Sequence, residues 1–545
     1  MLHFRGKGVY GAIAIGKAAV FRRNATDVRR ERVSDTERER ARFAAARERA
    51  IAELREIYDK ALAEIGENDA QIFEIHMMML EDEDFLDSVV GIIEGEGVNA
   101  EYAVSKTGER LAQTFGAMDD GYMQARASDI EDVTRRVLAC FRDGGGRDGV
   151  KGEGIIVCAD DLTPSETVLL DKESVLAFVT EQGTQSSHTA ILARNMNIPA
   201  VIGLGNGFLS AIEDGMTMTV DGYSGEVTVM PSEETVREMR QRREQDLREK
   251  ALLETLRGED NVTLDGRRID VFANIGSVES LDAVLHSDAG GIGLFRSEFS
   301  YLERCDYPSE QELFSAYKRI LQGMGERKVV IRTLDIGADK QADYFGLPGE
   351  ENPALGLRAV RLYFSRPEVF RTQMRALYRA SVYGRLAIMF PMITSVFEVQ
   401  ELLRIAEEVK HELAGEGIRY SEQVELGIMI ETPAAAVISD RLAPLVDFFS
   451  VGTNDLIQYT LACDRQNPSL DRFCDPHHEA VLRLIEFAAE SAHQHGAWIG
   501  ICGELAADTS LTREFLRMGI DELSVSPSYV LKLRDTIRKI DLTSE

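Results

Sequence analysis

The spacing of apolar residues changes character several times along the chain. Within residues 8–21 they gather in two short runs, Gly8–Gly16 and Ala18–Phe21, which predict strands. From about 33 to 142 they recur at intervals of three and four, as in Ile51, Leu54, Ile57, Tyr58, Leu62 and Ile65, with charges between them. Side chains at those intervals share one face of a helix. Ile72–Leu80, Ala100–Phe115 and Ile130–Phe141 continue the pattern, so four helices are expected, closed by the loop Gly144-Gly145-Gly146. β-rich runs return at Gly154–Cys158, Val175–Val179, Ala200–Ile202 and Met216–Val220. The N-terminal strands are expected to rejoin them in one α/β unit, leaving the helical block as an insertion.

Ser232–Arg257 carries charges of both signs, few apolar residues and no Pro or Gly, which reads as a solvated helix crossing between domains. Beyond it, β-rich runs alternate with helical stretches: Ile269–Asn274, Gly290–Phe295, Lys328–Leu334, Leu386–Pro391, Val424–Ile430, Val446–Val451, Ala497–Ile501 and Glu522–Val525. Eight strands with crossovers predict a (β/α)8 barrel. An open doubly wound sheet is the alternative, though no GxGxxG follows the first strand to support a dinucleotide site.

Composition narrows the class. At about 150 residues per domain, 545 residues predict three or four domains. No run of about 18 apolar residues is present to span a membrane. Met1–Gly6 lacks the apolar core of a secretory signal. Lys plus Arg number 62 against 92 Asp plus Glu, a net charge of −30 that repels nucleic acid and favours basic partners or plain solubility. The six cysteines are scattered without a CxxC pair, which argues for a reducing, cytoplasmic setting and against a disulfide frame or a zinc site.

In a barrel the working face lies at the C-terminal strand ends. The residues expected there are Arg296, Arg332, Glu431, Asn454, Asp455, with Arg465 ten residues on, and Cys502. Arginine forks grip phosphate and carboxylate oxygens. Glu431 and Asp455 are hard oxygen ligands of the kind magnesium takes alongside substrate oxygens. Cys502, with a reference pKa near 8.5, is mostly protonated at neutral pH and suited to proton delivery. Taken singly, an arginine at a strand end is as often an ion-pair residue, and a lone cysteine is usually a small buried hydrophobe. A second candidate site lies in Gly183–Arg194, where a small-polar loop enters a helix capped by Ser186 or Ser187. His188 then sits in the first turn, where helix N–H groups favour an anion, and a neutral imidazole can accept a phosphoryl group. A histidine that merely caps or packs is an equal reading of the spacing. His76 lies on an apolar helix, packed or partner-facing, and Met77-Met78-Met79 reads as core.

Several of these segments resemble enzyme I of the bacterial phosphoenolpyruvate-dependent sugar phosphotransferase system. They are Gly183–Arg194, Gly291–Phe299, Ile331–Lys340, Asn352–Arg358, Gly452–Thr460, Asp464-Arg465 and Cys502–Ala506. The resemblance implies an α/β multidomain protein: a phosphohistidine domain over 1–22 and 145–230, an inserted helical domain over 23–144, a linker helix over 231–260 and a substrate barrel over 261–545. It implies that His188 is phosphorylated on Nε2, with Thr163 beside it, and that Arg296, Arg332, Asn454, Asp455 and Arg465 bind phosphoenolpyruvate, helped by Lys340 and Arg358. Glu431 and Asp455 match magnesium ligands, and Cys502 matches the acid that protonates the enolate. The helical domain matches the one that docks the carrier protein HPr, with Arg126 and His76 near that face, and a homodimer through the barrel is implied. Thr184, Ser297 and Ala338 depart mildly from the usual pattern. The related dikinases and synthases need a nucleotide-grasping domain before the histidine, which the helical pattern and the lack of a P-loop do not supply.

Overall fold

The computed structural model describes the chain apart from residues 22–27, 65–66, 117–120, 142–153, 163–165, 167–169, 171–173, 184–188, 191–192, 194–197, 303, 305, 338–342, 348, 466 and 545. It divides into two compact units, Met1–Glu249 and Lys250–Glu545.

In the first unit, β1 (Leu2–Arg5), β2 (Lys7–Tyr10), β3 (Ile13–Val20), β4 (Ile155–Ala159), β5 (Val175–Thr180), β6 (Ala200–Ile202), β7 (Thr217–Asp221) and β8 (Glu226–Val229) build one sheet. Its order is β1-β8-β7-β3-β4-β5-β6-β2. The central strands β3 to β6 are parallel, and the flanking pairs are antiparallel. β4 is buried along its whole length, which is why it reads as an unbroken apolar run. Ile156, Val179 and Val201 pack on one face of the sheet, and Val157, Phe178 and Ala200 on the other. β1 and β8 pair with each other at one edge; β1 is short and largely exposed, so the sequence pattern gave little sign of it.

Parallel neighbours such as β3 and β4 need a crossover rather than a tight turn. Among the described residues the connection contains five helices, one more than the spacing predicts: α1 (Thr36–Glu64), α2 (Glu67–Glu81), α3 (Glu83–Glu96), α4 (Ala100–Gly116) and α5 (Gly121–Cys140). The additional helix is α3. Asp82 caps it by accepting from the amides of Asp84 and Phe85, so α3 restarts directly where α2 ends. Phe85, Val89 and Ile93, at steps of four, turn its apolar face inward. They join Phe43, Leu54, Phe73, Val104 and Val137 in a separate core. Met78 is 67 % exposed, so the methionine run is not wholly core. A further helix, α6 (Glu233–Glu254), has no buried residue and spans the boundary between the two units. It is tied to the sheet by Arg242 to Asp221 (2.9 Å) and by Tyr223 Oη to Asp246 (2.5 Å).

In the second unit β9 (Asp270–Ile275), β10 (Ile292–Arg296), β11 (Lys328–Arg332), β12 (Arg385–Phe390), β13 (Glu425–Ile430), β14 (Phe448–Val451), β15 (Trp498–Ile501) and β16 (Glu522–Val525) form a closed, all-parallel barrel. Closure excludes the open doubly wound sheet. Each of the eight expected runs lies within two residues of its strand at either end. Leu294, Val330, Ala387, Met389, Met429, Phe448 and Cys502 fill the interior, while the outward faces pack on the surrounding helices.

Candidate active site

All eight strands point the same way, so residues at their C-terminal ends meet at one rim. Arg296 closes β10 and Arg332 closes β11; Glu431 directly follows β13 and Cys502 directly follows β15. Asn454 and Asp455 lie in the first turn of the helix Thr453–Leu461, immediately after β14.

A chain of alternating charges joins most of this set. Arg332 donates to Glu298 Oε1 at 2.7 Å and lies 3.2 Å from Asp335 Oδ2. Arg358 holds Asp335 through both carboxylate oxygens, at 3.0 and 2.9 Å, and reaches Asp455 Oδ2 at 3.5 Å. Arg465 Nη2 stands 3.8 Å from Asp455 Oδ1. Tyr459, one helical turn beyond Asp455, accepts from Arg358 at 3.1 Å and donates to the Ala354 carbonyl at 2.5 Å. Asn454 exchanges two hydrogen bonds with Glu504, each 3.1 Å. Arg296 is exposed and forms no ion pair among the described residues.

Among the described residues, Glu298, Asp335, Glu431 and Asp455 are buried beside two buried guanidinium groups, Arg332 and Arg358, and Arg465 reaches Asp455 from the rim. The burial and crowding of these carboxylates show in the titration of Glu431. Burial, then the neighbouring Asp455 and Asp335, raises its carboxyl well above the ordinary range, against the pull of Arg332 and Arg358. For Arg332, burial acts to lower the pKa, but Glu298, Asp335 and Glu431 prevail and hold the guanidinium charged. Glu431 Oε1 accepts the Met392 amide at 2.5 Å, and Asp455 Oδ1 is buried with no hydrogen-bond donor. Two buried carboxylates, one with an oxygen that accepts no hydrogen bond, are a donor set that fits a hard divalent cation. No group of three or more His, Cys, Asp or Glu side chains forms a metal cage among the described residues, and magnesium needs none when substrate supplies oxygens.

Cys502 is buried at the edge of this set, its thiol facing the Val451 carbonyl at 3.6 Å. Burial pushes the thiol up to about 12. It is therefore a neutral thiol rather than a thiolate at neutral pH.

His188, Thr163 and Lys340 lie outside the described residues. The neighbours of the first two are placed. Thr189 is buried, donates to Asp161 Oδ1 at 3.0 Å and accepts from the Leu162 amide at 3.3 Å. This joins the segment after β5 to the loop after β4. His76 is fully buried, its Nε2 3.4 Å from Asp129 Oδ1, so it packs inside the helical block and is not on a partner-facing surface. The side chain of Arg126 lies outside the described residues.

Sequence reasoning passed over Glu298, Asp335 and Tyr459 as members of the site. The first two lie beside arginines at strand ends, and Tyr459 lies four residues after Asp455. That adjacency and that helical step were the available signals.

Three family models cover almost the whole chain: PEP-utilising enzyme, N-terminal (residues 5–126); PEP-utilising enzyme, mobile domain (151–225); and PEP-utilising enzyme, PEP-binding domain (250–542). Among curated proteins, the phosphoenolpyruvate-protein phosphotransferase of Priestia megaterium is 42 % identical over 537 residues, 98 % of this chain and 94 % of that protein. Its namesake in Bacillus subtilis is 42 % identical over 547 residues, 99 % of this chain and 95 % of that protein. That of Staphylococcus carnosus is 40 % identical over 544 residues, 98 % of this chain and 94 % of that protein.

Proposed function

This chain belongs to the phosphoenolpyruvate-protein phosphotransferases, and from that membership we propose that it moves the phosphoryl group of phosphoenolpyruvate first to its own His188 and then to a histidine of HPr, releasing pyruvate. In this reading the transfer opens sugar uptake by the phosphotransferase system in the cytoplasm, and the protein works as a homodimer paired through the barrel. The domain limits expected from the sequence stand as part of the same proposal, with α1 to α5 as the HPr-docking block.

The single observation that carries the reading is the rim constellation: Arg332, Arg358, Glu431, Asp455 and Cys502 buried together at one end of the barrel. Arg296, Arg332 and Arg465 grip the phosphate and carboxylate oxygens, and Asn454, Arg358 and Lys340 orient them. His188 Nε2 attacks phosphorus in line; the P–N bond forms as the P–O bond to carbon 2 breaks, and the electron pair stays on the enolate. Cys502 then gives its proton to carbon 3, completing pyruvate. Magnesium, held by Glu431 and Asp455, would supply charge neutralisation for the phosphoryl and enolate oxygens.

Incubation with labelled phosphoenolpyruvate and magnesium tests the reading. The wild type should acquire an acid-labile phosphoryl group and pass it to added HPr, and His188→Ala should acquire none. Stable, acid-resistant label, or label on His188→Ala, would overturn it.

A further inference from the structure

One titratable group inside the barrel has no task in the reaction above. Glu522 on β16 is 2 % exposed and aligns with Gly500 on β15 and Asp270 on β9. Two glycines make its room. A methyl group at Gly500 would stand 1.9 Å from Glu522 Oε2, and one at Gly293 would stand 2.4 Å from Oε1. Oε1 is nevertheless buried without a hydrogen-bond partner. An acid kept in a cradle of glycines, with an oxygen unsatisfied, costs stability that an apolar side chain would not. The position therefore points to a role in the chemistry.

Cys502 lies two residues beyond Gly500, just past the end of β15, and both face the same interior. With only hydrogen at Gly500, no side chain there separates the Glu522 carboxyl from the thiol. After burial and the Ser450 hydroxyl, charge on Glu522 is felt at Cys502, along with that of Arg332 and Glu431. Burial, then Asp270, pushes the Glu522 carboxyl well above the ordinary carboxylate range, and Lys328 opposes the shift. Towards the other barrel mouth, Asp270 is exposed. Lys328 Nζ lies 2.7 Å from Glu425 Oε2, and Glu425 lines a recess of about 810 Å³ with Arg385 and Asp447. Glu522 thus stands between the buried thiol and a solvated mouth.

We propose that Glu522 returns the proton to Cys502 in each cycle, from inside the barrel and from the side opposite the substrate. The inference rests on Cys502 being the proton donor. The S–H bond breaks as the C3–H bond of pyruvate forms. The O–H bond of Glu522 then breaks as the S–H bond re-forms, since a thiolate is ordinarily a stronger base than a carboxylate. The carboxylate, facing Lys328, regains a proton from water by way of Asp270. No electron count changes. Glu522 touches no substrate atom and acts through Cys502.

The test uses the full chain with magnesium, phosphoenolpyruvate and pyruvate in deuterium oxide, and needs no acceptor protein. Two rates are followed: exchange of carbon label between pyruvate and phosphoenolpyruvate, and entry of deuterium at carbon 3. Without the relay, Cys502 passes the same hydrogen back and forth. Glu522→Gln should therefore keep carbon exchange near the wild-type rate and lose about a hundredfold in deuterium entry. A purely structural role would lower both rates together; that result, or unchanged deuterium entry, overturns the relay. If Glu522→Gln does not fold, Glu522→Asp withdraws the carboxyl by one methylene. It should slow deuterium entry alone by about tenfold, and no change overturns the proposal. Absence of carbon exchange in the wild type would sink the phosphotransfer reading itself. Undiminished deuterium entry in Cys502→Ser would remove the donor on which the relay depends.

Discussion

Arg358 and Asp335 form a buried, bidentate pair at the barrel rim, with Nη2 3.0 and 2.9 Å from the two carboxylate oxygens and Nε 3.1 Å from Oδ1. Asp335 also faces Arg332, and Arg358 also faces Asp455. One carboxylate thereby positions two cations that the proposed mechanism assigns to substrate oxygens.

Asp335→Ala should leave two buried guanidinium groups short of a counter-ion. Removing one member of a buried pair costs about 3–5 kcal/mol, so the denaturant midpoint should fall clearly. In a double-mutant cycle with Arg358→Met the two effects should be strongly non-additive. Additive losses, with an unchanged KM for phosphoenolpyruvate, would show that the pair does not organise the site.

Glu431→Gln keeps the shape of the side chain but removes a carboxylate that burial and two neighbouring carboxylates already crowd. Loss of even an outer-shell partner weakens metal binding about 10–100-fold, so the magnesium concentration for half-maximal phosphorylation should rise at least that much. The fold should persist, because burial already disfavours the charged carboxyl. Unchanged magnesium dependence would remove Glu431 from the metal site.

Burial pushes the Cys502 thiol up from an ordinary value near 9.0 to about 12. A raised acid keeps its full stabilising effect below the unfolded value and loses it as pH rises through the folded one. The stability difference between wild type and Cys502→Ala should therefore be flat up to about pH 9 and shift against the wild type between pH 9 and 12. Iodoacetamide should label Cys502 slowly throughout the neutral range. Rapid labelling at neutral pH would contradict the placement of this thiol.

Ser309 and Glu312 close a reciprocal capping box at the start of the helix Glu310–Met324, which packs beside β11. Ser309→Ala should cost about 1 kcal/mol, read as a lowered melting temperature, with phosphorylation of His188 unaffected. The Glu312 carboxyl is held down to about 2, first by Ser309, so this cap should persist in mild acid and fail only as pH falls from 4.5 towards 2.

Legibility varied with the physical kind of signal. Barrel strands such as Leu386–Pro391 stood out because both faces are covered and every position is apolar. The edge strand β1, largely exposed, carried no such run. Helix α3 was missed because its cap, Asp82, follows the end of α2 without a glycine or proline to mark the break. His76 looked the same in sequence whether packed or presented to a partner; only the surrounding helices decide that it is buried.

From the order of its residues alone, this protein's element types, its family and the identity of most rim side chains could be read, since periodicity and motif spacing are local properties of a chain. Three-dimensional closure decided the rest. It put Arg332, Asp335, Arg358 and Asp455 in one chain of ion pairs, buried the Cys502 thiol, and set Glu522 against Gly500 on the neighbouring strand and Gly293 on β10. Burial and charge coupling depend on what the whole fold brings alongside a group, and no window of neighbouring residues contains that.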